Sequence, residues 1–156
     1  MQIIEQIAEM RAWSEGERRQ SCRIVFVPTM GSLHEAHLCL VRDAKTRGER
    51  VVVSIFVNPM QFGPSEDFAR YPRDLERDRA MLEGIGVDVL FHPTVAEIYP
   101  DGYQTHIDVE NLSLPLCGTI RPAHFRGVAT VVATMIALML RRKKPPDISP
   151  PPEYHI

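Results

Sequence analysis

The sequence predicts an α/β fold built on an open, doubly wound parallel sheet, and three observations predict it. Two apolar, β-branched runs, RIVFVP at 23–28 and VVVSIFV at 51–57, are continuous rather than alternating, which is the pattern of strands covered on both faces. Between them a segment of helical period extends from Glu35 to Arg47 and closes at Gly48, so that strand, helix and strand form a right-handed parallel unit. DLERDRAMLEGIG at 74–86 then reads as a second crossover helix and VDVLFHP at 87–93 as a third buried strand.

The other elements follow in order. Ile3, Ile4, Ile7, Ala8 and Met10 fall on one side of a short helix over residues 3–13, with Gly16 and the charged stretch to Arg19 as its exit. After the third strand, Pro93, Pro100 and Gly102 mark loop, THIDVE at 105–110 reads as a short strand, and a helix runs from Ala123 to Leu140. These elements make one domain over residues 1–140. The tail 141–156, RRKKPPDISPPPEYHI, holds four consecutive basic residues and five prolines, a composition that suits extended chain and neither a helix nor a sheet interior.

Bulk properties narrow the function. A chain of 156 residues with 44% hydrophobic content can bury a core, and a formal net charge of −2 gives no basic field for a nucleic-acid or membrane partner. Cys22, Cys39 and Cys117 are widely spaced with no C-x-x-C pair, as expected of reduced, mostly packed thiols in a cytoplasmic protein. The start, MQIIEQIAEMRAW, mixes acidic with apolar residues and is unlike a signal peptide. The longest apolar run, Val128 to Leu140, is shorter than the roughly 20 residues of a membrane span.

Ligands of such sheets sit beyond the carboxyl ends of the strands. Directly after the first of the buried runs come Met30, Gly31, Ser32, Leu33, His34, Glu35, Ala36 and His37, which open a helix. A strand-to-helix turn offers free backbone N–H groups and the positive end of a helix dipole, both suited to a phosphate chain, and Gly31 lets that backbone come close. His34 and His37, three residues apart, project from the first helical turn. Two imidazoles there can hold a triphosphate, stabilise charge at the α-phosphate during nucleotidyl transfer, or donate a proton to departing pyrophosphate. Taken as an H-x-x-H pair in isolation, they read equally as solvated histidines at a helix start. A zinc site of the H-E-x-x-H type fails on spacing, and no metal ligand is assigned.

The second strand end carries Asn58, Pro59, Met60, Gln61, Phe62 and Gly63, followed by Tyr71, Pro72 and Arg73. Asn58 and Gln61 can donate to a carboxylate or hydroxyl beside the histidines, and Phe62 supplies an apolar wall. On residue type alone this segment is as well described as a capped turn.

PTMGSLHEAHLCLV, VVVSIFVNPMQFGPSEDFARYPRDLERD and RPAHFRGVATVV, three ordered motifs, together resemble the pantothenate synthetase (pantoate beta-alanine ligase) family from the first residues to about Val132. The resemblance implies a Rossmann-like domain of the nucleotidyltransferase type with an H-x-x-H nucleotide site. It also implies a two-step reaction in which pantoate attacks the α-phosphate of ATP, with Mg2+, to give pantoyl adenylate and pyrophosphate, after which beta-alanine displaces AMP. Residues Met30 to His37 would line the ATP site, with His37 as proton donor and His34 beside it on the phosphates. Gln61 would contact pantoate and beta-alanine, and Asn58, Tyr71 and Arg121 match further pocket positions. Members of the family commonly form homodimers.

The chain departs from the pattern at several points. Ala36 stands where the family has glycine in H-x-G-H, Ala123 replaces another glycine, and Cys117 stands at a glutamate position. Beyond Val132 neither the G-E-K-D loop nor the S-S-R-N segment appears, and the chain reads as a truncated member that is a poor catalyst alone. Truncation would also leave the run from Val128 to Leu140 as an association-prone patch. The alternatives are another H-x-x-H nucleotidyltransferase, or a non-catalytic or decayed nucleotide-binding module.

Overall fold

A computed structural model of the chain describes residues 1–63, 66, 68–111, 113, 118–121 and 123–139; Cys117, Leu140 and the basic tail lie outside these. Four strands, β1 (Gln2–Ile4), β2 (Ile24–Thr29), β3 (Arg50–Ile55) and β4 (Val89–Phe91), form one parallel sheet in the order β1-β4-β3-β2. Helices α1 (Ile7–Arg19), α2 (Glu35–Arg47), α3 (Leu75–Ile85), the single turn α4 (Val95–Ile98) and α5 (His124–Met139) complete it.

The continuous apolar strands are explained by two cores, one on each face of the sheet. Val52, Val89 and Phe91 pack with Met10 of α1 and with Val131, Met135, Leu138 and Met139 of α5. The alternate residues Val51, Val53, Ile55 and Leu90 pack with Leu38, Val41 and Ala44 of α2 and Leu82 of α3. From Val51 to Ile55 of β3 and throughout β4 each residue is therefore buried whichever way it points, and period-two alternation disappears from those runs. Val131, Met135, Leu138 and Met139 of the run that begins at Val128 are buried this way, whereas Val128, Ala129, Val132, Ala133 and Ile136 line an apolar groove, with Ile136 44% exposed, so part of the expected apolar patch remains.

Local chemistry sets the helix boundaries. At α3, Asp74 caps the start by accepting the Arg77 N–H at 3.1 Å, and Glu76 and Asp78 lie in the first turn against the positive dipole end. At α2, Lys45 and Arg47 complement the last turn, and Arg47 pairs with Asp43 one turn earlier. The α1 start is capped from far away, since the Ile7 N–H donates to Glu97 Oε1 at 2.7 Å.

Four expectations are corrected. Residues 2–4 form a strand rather than the start of a helix, and the helix that follows runs through Gly16 to Arg19. Ile3 and Ile4 suit either reading, and pairing with Leu90 and Phe91 of β4 decides. β2 pairs only with β3 among the described strands, so it is a half-covered edge; this position tolerates Pro28, which has no N–H to give. THIDVE forms no strand: the Ile107 N–H donates to Thr130 Oγ1 of α5 at 2.9 Å, and that contact takes the place of a ladder. Cys22 is half-buried and Cys39 exposed, rather than both being packed.

Candidate active site

The carboxyl ends of β2 and β3 lie side by side, which brings the two candidate segments together. Between them opens a cavity of about 270 Å³ lined by His37, Asn58, Gln61 and Tyr71, with Met30 and Phe56 of the strand ends and Val131 and Met135 of α5 as apolar wall. Residues from four separated parts of the chain thus meet at one point. A second cavity of about 330 Å³ lies across Met30 and Phe56, at the ends of β3 and β4.

The turn after β2 is tightly built. Thr29 Oγ1 donates to Ser54 O at 2.7 Å and accepts the Gly31 N–H at 3.2 Å. Gly31 (φ 80°) and Ser32 (φ 52°) are both left-handed, which glycine adopts freely and serine does not. The Leu33 side chain is buried in the core and its N–H donates to Asp78 Oδ1 at 2.8 Å, so Leu33 shapes the turn from within. His34, Glu35 and Ala36 are exposed, and Glu35 pairs with Arg42.

His34 is the N-cap of α2 and its backbone N–H donates to His37 Nδ1 at 3.4 Å, with the two rings 4.1 Å apart. With Nδ1 accepting, a neutral His37 carries its proton on Nε2. Of the two histidines only His37 lines the 270 Å³ cavity. Partial burial, and then the neighbouring His34, hold the His37 pKa below its ordinary 6.5, while Asp78 opposes them. Because the folded value is depressed, the neutral ring contributes stability above pH 6.5 that is lost as pH falls through the window below it.

Asn58, expected as a ligand donor, is 1% exposed and fully engaged. Its Nδ2 donates to Gln61 Oε1 and to Gly127 O, each at 3.1 Å, and its Oδ1 accepts from Met60 N and from the Tyr99 hydroxyl at 2.9 Å. It therefore fixes the Gln61 amide, whose oxygen is taken and whose Nε2 donates to Met30 Sδ at 2.9 Å beside the cavity. Tyr71 is held edge-on by Phe62, and burial raises its phenol pKa. Phe62 is thus a support for Tyr71 rather than part of the cavity wall.

Arg121 does not line the cavity. Its Nη2 donates to Glu66 Oε2 at 2.8 Å and to Gln61 O at 3.1 Å, and His124 Nδ1 lies 2.9 Å from the same carbonyl. The Arg121 guanidinium and the Gly63 N–H hold the Glu66 carboxyl below its usual range. Sequence reading missed Glu66, Asp78, Tyr99, His124 and Gly127. Asp78 hides in a run of helix charges, and only the glycine inside the α5 pattern signalled a close backbone approach.

The fold and this strand-end site define a parallel α/β domain of the nucleotidyltransferase type. A sequence model described as pantoate-beta-alanine ligase matches residues 2–143, which extends the similarity past Val132. The chain belongs to that family. It is 54% identical over 140 residues to the pantothenate synthetase of Geobacter sulfurreducens, covering 90% of this chain and 50% of that protein. With the enzyme of Thermotoga neapolitana the identity is 56% over 139 residues, covering 89% and 50%. The crystal structure of pantothenate synthetase from Thermus thermophilus superposes with a TM-score of 0.81 at 50% identity, covering 89% of this chain and 49% of that one. That of pantoate-beta-alanine ligase from Francisella tularensis, complexed with beta-gamma ATP and beta-alanine, gives 0.83 at 40% identity, covering 89% and 53%. The chain spans about half the length of the relatives it matches. No helix among the described residues is long and apolar enough to cross a membrane.

Proposed function

We propose that the chain supplies the nucleotide- and pantoate-binding half of an enzyme that joins pantoate to beta-alanine at the expense of ATP. The observation that carries this reading is the meeting of His37, Asn58, Gln61 and Tyr71 around one cavity at the ends of β2 and β3. In the first step a pantoate carboxylate oxygen bonds to the α-phosphorus, the α–β bridge breaks, and pyrophosphate leaves. In the second the amine of beta-alanine attacks the acyl carbon, forming the amide, and AMP leaves.

Residues Met30 to His37 receive the nucleotide, which brings its magnesium as Mg-ATP. The His37 Nε2–H faces the phosphates and stabilises the charge that develops there, with His34 beside it. The Gln61 amide, oriented by Asn58, donates to pantoate. The apolar wall from α5 accepts the gem-dimethyl part of pantoate and limits water. Arg121 and His124 act by holding the Gln61 carbonyl, and Tyr71 closes the rim. A cytoplasmic setting suits these substrates.

Calorimetry tests this. The chain is expected to bind Mg-ATP and pantoate, with Gln61→Ala weakening pantoate by about tenfold, the cost of one hydrogen bond to a charged group. Mg-ATP affinity should be nearly unchanged in that variant. Equal loss for both ligands, or none for pantoate, removes Gln61 from the pantoate site.

A further inference from the structure

Asp78 is the only buried carboxylate among the described residues, at 1% exposed, and it stands in the first turn of α3 rather than on either segment that the sequence marks as a site. Its Oδ1 accepts the Leu33 N–H at 2.8 Å. Its Oδ2 abuts the same turn, since a Cβ built on Gly31 would come within 3.0 Å of it. The turn it touches contains two successive left-handed residues, Gly31 and Ser32, an arrangement that persists only where the surroundings impose it. Thr29 Oγ1 fixes the start of that turn and Asp78 fixes its end.

We propose that Asp78 is the positioning residue of the nucleotide turn: its carboxylate holds the Gly31–Leu33 backbone, left-handed at Gly31 and Ser32, and sets a buried negative charge against that turn. This rests on the reading that residues Met30 to His37 receive ATP. A carboxylate serving only as a favourable charge at the α3 start would not need burial or a bond to Leu33, 45 residues away in sequence. Its charge also reaches His37, where it counters the two influences that favour the neutral ring. Among the described residues, His34 on the same turn also acts on His37, and Tyr71 lines the same cavity.

Two variants of the full chain separate the roles. Asp78→Asn keeps the shape and an acceptor oxygen but removes the charge, whereas Asp78→Ala removes both. In NMR titrations the His37 ring midpoint should fall in Asp78→Asn, while Leu33 amide exchange stays near that of the parent. Asp78→Ala should speed Leu33 exchange and weaken Mg-ATP binding by about tenfold. A His37 midpoint unmoved in Asp78→Asn, or an equally protected Leu33 amide or unchanged Mg-ATP affinity in Asp78→Ala, overturns the proposal. The amide and ring readouts need no ligand. A parent chain that binds no Mg-ATP yet shows both effects would instead sink the nucleotide reading and leave Asp78 as the anchor of the turn.

Discussion

Gly127→Ala is expected to lower the melting temperature by about 10 °C, a loss of about 3 kcal/mol for a chain of this size. A Cβ at this position would lie 2.3 Å from Met60 O and 2.7 Å from Gln61 N. Both are backbone atoms, so no rotamer change relieves the contact. Either the first turns of α5 or the 3₁₀ turn Pro59–Gln61 must move away. Gly127 O also receives the Asn58 side chain, so the shift would reach the cavity as well as the core. Calorimetric or circular-dichroism melting checks this, and a melting temperature within about 2 °C of the parent, roughly half a kcal/mol, would show that the approach is looser than described.

Asn58→Ala should have the second-largest effect, a destabilisation of about 3 kcal/mol with loss of pantoate binding. Truncation leaves the Tyr99 hydroxyl, the Met60 N–H and Gly127 O without this partner in a buried place, and each unsatisfied group costs roughly 1 kcal/mol or more. It also frees the Gln61 amide to rotate, which is why binding falls beyond what stability alone removes. The double cycle with Tyr99→Phe isolates one link. If the hydroxyl acts through Asn58, the two losses are non-additive by roughly 1 kcal/mol; strict additivity would place the Tyr99 hydroxyl outside the network.

Much of the fold was legible because its signals are local. The span of α2 follows from a helical period closed by a glycine, and β3 and β4 from runs covered on both faces. β1 was not legible, because so short a segment cannot carry a period and its partner strand lies far along the chain, at Val89–Phe91. THIDVE failed for the opposite reason: its composition suits a strand, but a strand is defined by a neighbour, and here Thr130 of a helix takes the Ile107 N–H.

The candidate site divides in the same way. His37 and Gln61 could be picked out because polar residues at strand ends point to ligands in a parallel sheet, and Tyr71 through the family resemblance. Their supports could not. Asp78 is one acid among many charges on α3 until burial singles it out, and Tyr99 joins Asn58 across 41 residues of chain. Arg121 was legible through the resemblance as a pocket position, but not as a residue whose guanidinium closes on Glu66 and the Gln61 carbonyl.

The central claim, that the ends of β2 and β3 form one site for ATP and pantoate, is tested most directly by an NMR titration of the labelled chain. Addition of Mg-ATP should shift the His34 and His37 ring signals and the Gly31 to Leu33 amides. Pantoate should then move the Gln61 side-chain amide and the methyl groups of Val131 and Met135. Saturable shifts confined to another part of the molecule, or none at millimolar concentrations of both ligands, would contradict the account.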